Sequence, residues 1–178
     1  YVHYIKQNYN EMIKCYLLAI EKGNSKAMYN LANYYSKQKD YVNMLKYYLL
    51  AIEKNHSRAA LKLGNYYCQL NDHENMIKYY LMAIDKGESD AMHNLGNYYY
   101  NQKDYINMKK YYLMAANKRN SNAMCDLAIY YEKIKDYDNA ISYYLMAVNS
   151  GNSHAMLCLG NYYKNEKIYN TMINYYLL

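Results

Sequence analysis

The histidines and cysteines have the greatest potential for catalysis or metal binding. The five histidines are His3, His56, His73, His93 and His154. The four cysteines are Cys15, Cys68, Cys125 and Cys158. No CxxC pair occurs, whereas a zinc site normally needs four ligands and a disulfide framework needs paired cysteines. The six glycines are dispersed singly, so no glycine-rich phosphate loop exists. We predict no catalytic centre, metal or cofactor, and reduced cysteines in a cytoplasmic compartment.

Amides and one basic pair remain as candidates for binding. Four asparagines recur at intervals of 32 or 64 residues, at Asn33, Asn65, Asn97 and Asn161. Each amide offers a donor and an acceptor, the two groups that a peptide unit needs. The basic side chains of Arg58 and Lys62 are four residues apart, which is one helical turn. They could meet an acidic group, although a solvated surface pair is the simpler explanation.

These candidates belong to an internal repeat of 32 residues. The string AMYNLANYY begins at Ala27, and related strings begin at Ala59, Ala91, Ala123 and Ala155. A second string, DYVNMLKYYLLAI, begins at Asp40, and its counterparts begin at Asp72, Asp104 and Asp136. Self-similarity at such a period is typical of stacked repeat architectures. We divide the chain into a partial repeat 1–24, repeats 25–56, 57–88, 89–120 and 121–152, and a truncated repeat 153–178, and expect one domain cut from a longer array.

Both strings have the apolar spacing of helices. In the first string, Ala27, Leu31 and Tyr34 form a row, with Met28, Ala32 and Tyr35 beside it; in the second, Met44, Tyr48 and Ala51 form a row flanked by Leu45, Tyr47 and Leu49. The predicted helices are 9–22, 25–38, 41–54, 57–70, 73–86, 89–102, 105–118, 121–134, 137–150 and 153–166, with a partial helix near Tyr169. We expect the tyrosine pairs of the first helices to lie in the core.

Recurrent capping residues mark the predicted ends of the helices. Serines stand where the first helices begin, at Ser25, Ser57, Ser89, Ser121 and Ser153, and we expect them to be N-caps. Asp40 and its three counterparts should cap the second helices. Second helices end at Gly23, Gly87 and Gly151; Asn55 can replace glycine there, and Arg119 fits poorly. The column Ala32, Gly64, Gly96, Ala128 and Gly160 is always small, which predicts close packing between helices.

The repeat resembles the tetratricopeptide and Sel-one-like helical repeat superfamily. The signature residues of one repeat are Met92, Leu95–Gly96, Tyr99, Met108, Tyr112 and Ala115. Met108 replaces the small residue that usually opens the second helix, and the closing proline is absent. The composition is similar to that of arrays encoded by AT-rich giant viruses. The resemblance implies an all-α, right-handed solenoid of stacked antiparallel helix pairs, with first helices lining a concave groove that binds extended peptides.

The groove face implied by this resemblance defines our candidate site. Asn33, Asn65, Asn97 and Asn161 recur on it, interrupted by Ile129. Their neighbours vary and include Tyr29, His93 and Tyr100. We predict a non-enzymatic scaffold or adaptor whose groove binds a protein or peptide, with Arg58 and Lys62 resembling the basic pair of the family's carboxylate clamp. Recurrence of Asn has a simpler explanation as well, because duplicated repeats inherit every residue.

Two other functions remain open. The net charge of +6 and the KYYLL strings are compatible with a nucleic-acid-binding helical repeat, although the lysines recur along the chain without clustering. The array could also regulate a catalytic domain outside this sequence. We expect no small-molecule substrate and no membrane insertion, since the longest apolar run, 143–148, is too short to cross a bilayer.

Overall fold

A computed structural model describes the backbone of residues 2–165 and the side chains of residues 8–164. This part of the chain is all-α and contains no strand. The helices are α1 (Val2–Glu21), α2 (Ser25–Lys37), α3 (Tyr41–Glu53), α4 (Ser57–Gln69), α5 (His73–Asp85), α6 (Ser89–Asn101), α7 (Tyr105–Asn117), α8 (Ser121–Lys133), α9 (Tyr137–Asn149) and α10 (Ser153–Asn165). The predicted bounds of α2 to α10 agree within one residue.

The first helix differs from its prediction. We expected a helix over 9–22, but α1 runs without a break from Val2 to Glu21. Asn8 stands where aspartate caps the other second helices, and the chain passes through it in helical conformation. The predicted start of this helix is therefore wrong. The partial helix expected near Tyr169 lies outside the described residues.

Consecutive helices pair, as the repeat predicts, and the pairs fall into two compact units. Unit 1 ends at Glu88 and unit 2 begins at Ser89. In unit 1, α2 packs on α3 and α4 on α5, while α3 also contacts α4. In unit 2, α6 packs on α7 and α8 on α9, while α7 also contacts α8. Each unit is thus a stack of helix pairs.

The core uses the same positions in every described repeat. Leu31 is fully buried, as are its counterparts Leu63, Leu95, Leu127 and Leu159. Met44, Tyr48 and Ala51 of the second helix are also buried, as predicted. Burial of these side chains from both helices holds each pair together.

Two expectations about the core are corrected in part. Of the first-helix tyrosines, Tyr131 is buried in the core as expected, whereas Tyr34 and Tyr35 are half-buried and pack against it. The ring of Tyr35 stacks on that of Tyr47, with 5.7 Å between centroids and 5° between planes. Leu49, expected to flank the core, is 41% exposed. The deepest rings therefore come from the second helices.

The N-caps of the second helices are the predicted aspartates. The Asp40 side chain accepts the backbone N–H of Asn43, and the Asn43 amide donates to the other carboxylate oxygen at 2.7 Å. These hydrogen bonds hold the pKa of Asp40 below its usual value. The same arrangement recurs at Asp72, Asp104 and Asp136. The recurrent asparagine of the second helices therefore has a local structural role.

The serines expected to cap the first helices do not do so. They are the first helical residues, and the side-chain oxygen of the preceding asparagine accepts the backbone N–H three residues on. This cap is made by Asn24, Asn120 and Asn152. His56 occupies the same position before α4 without a side-chain cap hydrogen bond. Asparagine is as good an N-cap as serine, and the observed N-caps lie one residue before the serines that we predicted.

The turns adopt the left-handed conformation that the glycines predicted. Gly23, Gly87 and Gly151 have φ between 76° and 84°. Asn55 and Arg119 occupy the equivalent positions with φ of 59° and 62°. Arg119 therefore adopts a conformation that costs a residue with a Cβ about 1–2 kcal/mol.

The position of the repeat that always holds a small residue, at Gly64 and Gly96 for example, leaves space for a tyrosine ring of the second helix. A Cβ added at Gly64 would lie 2.4 Å from the Cδ1 atom of Tyr80, and one added at Gly96 would lie 2.4 Å from that of Tyr112. Such a distance requires the ring to move. The close packing predicted from the small residues is therefore a contact between a helix backbone and an aromatic ring.

Candidate binding face

Asn33, Asn65 and Asn97 each accept a hydrogen bond from a tyrosine of their own repeat. The Tyr48 hydroxyl donates to the side-chain oxygen of Asn33 at 2.6 Å. The same bond joins Tyr80 to Asn65 at 2.8 Å and Tyr112 to Asn97 at 2.5 Å. These tyrosines are buried, and burial raises the pKa of Tyr48 and Tyr112 above the usual range, so the phenols stay protonated donors.

The repeat that lacks this asparagine uses another acceptor. Ile129 occupies the position in α8, and the buried hydroxyl of Tyr144 donates instead to Glu132 at 2.6 Å. Burial raises the pKa of Tyr144, and the bond to Glu132 adds to this effect. Every one of these four buried hydroxyls thus has an acceptor on the first helix of its own repeat, as buried polar groups require.

A cleft of about 370 Å³ opens between α2 and α4 in unit 1, with α3 at its floor. Its lining residues are Ser36, Lys37, Lys39, Tyr41, Met44, Tyr48, Lys62, Asn65, Tyr66 and Gln69. The three lysines are exposed. Within residues 8–164 the structure records no ion pair for any of them. The cleft therefore carries uncompensated positive charge.

The equivalent cleft of unit 2 has a different character. It measures about 240 Å³ and is lined by Asn97, Tyr100, Tyr112, Asp126, Ile129 and Tyr130. In this cleft Asp126 takes the place of Lys62, since the two lie 64 residues, or two repeats, apart. Tyr100 takes the place of Ser36, and its ring occupies part of the space. The lining thus changes from three lysines in unit 1 to a single charged residue, Asp126, in unit 2.

His93 and Asp126 form a close polar contact between α6 and α8. The His93 Nε2 atom lies 2.6 Å from Asp126 Oδ2, with the two side chains 14% and 35% exposed. The amide nitrogen of Asn97 lies 3.5 Å from the same histidine nitrogen. The His93 ring also stacks near Tyr112, with 5.7 Å between centroids. The structure therefore brings together His93, Asn97 and Tyr100 of the candidate set around one cleft.

The other candidate residues are placed less closely together. Tyr29 stacks on His56, with 4.5 Å between ring centroids, and lines neither cleft. Arg58 is exposed at the start of α4, away from the residues that line the cleft with Lys62. Asn161 is exposed on α10. The Tyr100 hydroxyl lies 3.4 Å from the Lys133 ammonium, which also sits over its ring.

The cysteines are all free thiols. Cys15 and Cys68 are exposed, whereas Cys125 is buried. Burial raises the pKa of Cys125 to about 12 and also raises that of Cys158. No group of three or more His, Cys, Asp or Glu side chains suited to a metal ion occurs among the described residues. The acidic neighbour of His93 is Asp126.

Sequence reasoning missed part of this face. Asp126 was overlooked because we compared the position of the repeat just before it, which Cys125 occupies. Lys62 occupies the position of Asp126 two repeats earlier. Lys39 lies in the turn after α2, where periodicity gives no information about direction. The tyrosine partners of the asparagines lie fifteen residues away on the next helix, and only the fold shows that they meet.

The stacked helix pairs define an α-helical repeat protein. The sequence pattern of the family described as Tetratricopeptide repeat matches residues 25–53, 57–85, 89–116 and 121–150. These segments cover more than half of the chain, which therefore belongs to the tetratricopeptide repeat family. No curated protein matches the sequence.

Solved structures show the same fold. A Sel1 repeat protein from Oxalobacter formigenes is 28% identical, with a TM-score of 0.78, over 92% of this chain and 73% of that one. A protective antigen of uropathogenic Escherichia coli with an SLR fold is 22% identical, with a TM-score of 0.78, over 86% of this chain. This chain covers only 36% of that structure. An immunity protein from Pseudomonas aeruginosa is 24% identical, with a TM-score of 0.62, over 93% and 72% of the two chains.

The family gives a general function. Tetratricopeptide and Sel1-like repeats generally act as scaffolds for protein–protein interaction, and the fold is typically non-catalytic. In the described part of the chain, no helix has both the length and the apolar character needed to span a membrane.

Proposed function

We propose that the chain is a scaffold that binds an extended segment of a partner protein on the face of the first helices within a unit, α2 and α4 in unit 1 or α6, α8 and α10 in unit 2. The observation that carries the proposal is the hydrogen bond from a buried tyrosine to the recurrent asparagine. This bond fixes the amide on a face that also has open clefts.

The tyrosine bond determines which half of the amide meets the partner. Because the Asn33 oxygen already accepts the Tyr48 hydroxyl, its amide nitrogen, with two N–H groups, is the part that serves as donor. An extended segment has backbone carbonyls without internal partners. Each donated hydrogen bond contributes about 1 kcal/mol net, and fixing the amide beforehand reduces the entropy cost of binding.

The variable neighbours provide the specificity. The clefts differ in charge and size through Lys62 against Asp126 and Ser36 against Tyr100. On the same helices, Tyr29, Arg58 and His93 precede the amides Asn33, Asn65 and Asn97 by four, seven and four residues. Backbone recognition is common to all positions, whereas side-chain recognition changes from repeat to repeat.

The charge reversal disfavours nucleic acid as the ligand. A nucleic-acid strand carries a phosphate at every step and needs cations along its whole track. Asp126 puts a carboxylate at the position where Lys62 puts an ammonium, which suits a partner of mixed charge better than a polyanion.

A random library of 12-residue peptides tests the proposal. Selected peptides should bind the native chain and lose at least ten-fold in affinity to the Asn33→Asp/Asn65→Asp variant. Aspartate keeps an acceptor for the tyrosine but removes the N–H donors. The matched control carries the same two charges on second-helix surfaces, Asn10→Asp/Asn117→Asp, and should change affinity less than two-fold.

Thermal unfolding of both variants checks that the comparison concerns binding alone. A library without binders would contradict the proposal, as would equal losses in the two variants. The amides would then serve only to hold the tyrosines.

A further inference from the structure

We propose that the cleft between α2 and α4 binds a carboxylate side chain, an Asp or Glu within the partner's extended segment. This inference rests on the proposed function and adds the chemistry of the residue recognised in unit 1. It follows from the charge, shape and position of the cleft.

The lining of the cleft carries three ammonium groups and no carboxylate. Lys37 and Lys39 lie on one side, at the end of α2 and in its turn, and Lys62 lies on the other side in α4. The structure records no ion pair for these three ammonium groups within residues 8–164. The carboxylate nearest in sequence, Asp40, accepts two hydrogen bonds from Asn43. A carboxylate entering the cleft would meet cations from two sides.

The remaining lining suits a carboxylate bound by hydrogen bonds. Ser36 and Gln69 supply neutral donors beside the lysines. Met44, Tyr48 and Tyr66 contribute apolar surface. Apolar walls reduce screening by water and strengthen the attraction between charges. The volume of about 370 Å³ exceeds what one side chain needs and leaves room for water-mediated contacts.

The position of the cleft favours an internal residue of the segment over a chain end. Asn65 lines the cleft, and Asn33 holds the hydroxyl of Tyr48, which also lines it. In the proposed binding mode, a backbone bound by both amides passes across the opening, and a side chain of the segment enters the cleft while the chain continues on both sides.

The equivalent cleft of unit 2 can be compared with that of unit 1 within the same chain. It keeps the tyrosines at two lining positions but replaces Lys62 with Asp126 and Asn65 with Ile129. The ammonium of Lys133 near that cleft is turned to Tyr100. A carboxylate would be repelled by Asp126 there, so the preference belongs to the residues of unit 1 and is not a general property of the fold.

Charge reversal at one residue tests the inference with the same peptide library. Peptides selected on the native chain should carry Asp or Glu at one fixed position, and replacing that residue by Asn or Gln should weaken binding about ten-fold. Lys62→Asp should abolish the acidic preference. The control Lys46→Asp, an exposed residue of α3 that lines neither cleft, should keep it.

Each outcome separates this inference from the proposed function. Binders without an acidic position would overturn the inference alone, and so would equal effects of Lys62→Asp and Lys46→Asp, which would indicate only long-range charge. A requirement for a free C-terminus would also overturn it. A library without binders, or a stronger affinity for a 12-nucleotide single-stranded RNA than for every peptide, would overturn both.

Discussion

The hydroxyl of Tyr48 donates a 2.6 Å hydrogen bond to the side-chain oxygen of Asn33, and this bond links the two helices of the repeat. The tyrosine is 3% exposed and the asparagine half-buried. The pair explains why an amide recurs on a face where its neighbours vary. The bond uses only the amide oxygen of Asn33, so in the proposed function the amide nitrogen donates to the ligand.

The energetic coupling of this pair is the first prediction. Asn33→Ala leaves the buried Tyr48 hydroxyl without its acceptor and should lower the free energy of unfolding by about 1–3 kcal/mol. In Tyr48→Phe the hydroxyl is absent, so the further change Asn33→Ala should cost much less than it does alone. Urea unfolding of the three variants measures this coupling. Additive losses would show that the bond is not a stabilising one.

The fourth repeat offers a rescue experiment. Glu132→Ala should destabilise the chain, because the buried Tyr144 hydroxyl loses its acceptor. Adding Ile129→Asn restores the acceptor used in the other repeats and should recover most of the lost stability. The single variant Ile129→Asn in the native background serves as the control. Failure of Ile129→Asn to improve the Glu132→Ala variant would contradict our explanation of the recurrent asparagine.

Replacement of Arg119 by glycine should increase the stability of the fold. Its φ of 62° is costly for a residue with a Cβ, whereas glycine occupies the same position after α1, α5 and α9. Arg119→Gly should therefore raise the stability by about 0.5–1 kcal/mol, with part of the gain offset by unfolded-state entropy. Thermal unfolding provides the measurement, with Gly87→Arg as the reciprocal change that should destabilise. A stability loss in Arg119→Gly would mean that the arginine side chain makes a compensating contact.

The cysteines should differ widely in reactivity. At pH 8 a thiol whose pKa is about 12 is almost entirely protonated, and Cys125 is only 2% exposed as well. Cys15 and Cys68, which are exposed, should therefore be alkylated in the folded chain while Cys125 reacts only after unfolding. Mass spectrometry of peptides after timed alkylation distinguishes them. Labelling of Cys125 as fast as Cys68 would show that α8 opens readily.

Sequence periodicity was sufficient for the fold. Nine helices were predicted within one residue because each has an apolar stripe and a strong stop signal. The predicted helix start at residue 9 was wrong because it depended on analogy with the later second helices. Asn8 does not end the helical conformation of the residues before it. The serine caps were wrong because asparagine and serine compete for adjacent positions, and periodicity does not decide between them.

The candidate face could be predicted only as a set of positions. Recurrence identified Asn33 and its counterparts but not the direction of their amide oxygens, because the tyrosine partners lie on another helix. The clefts depend on turn residues such as Lys39 and on two helices together. Asp126 became significant only when the structure placed it opposite His93. Side-chain direction and contacts between helices are three-dimensional properties that spacing does not contain.

The most direct test of backbone recognition uses a selected peptide in which one amide is replaced by an ester. An ester carbonyl is a weaker acceptor, so the change should weaken binding to the native chain about five-fold at each position facing an asparagine, equivalent to about 1 kcal/mol. In the Asn33→Asp/Asn65→Asp variant the same esters should have almost no further effect, as measured by isothermal titration calorimetry. Equal ester effects on both proteins, or none on the native chain, would contradict the account.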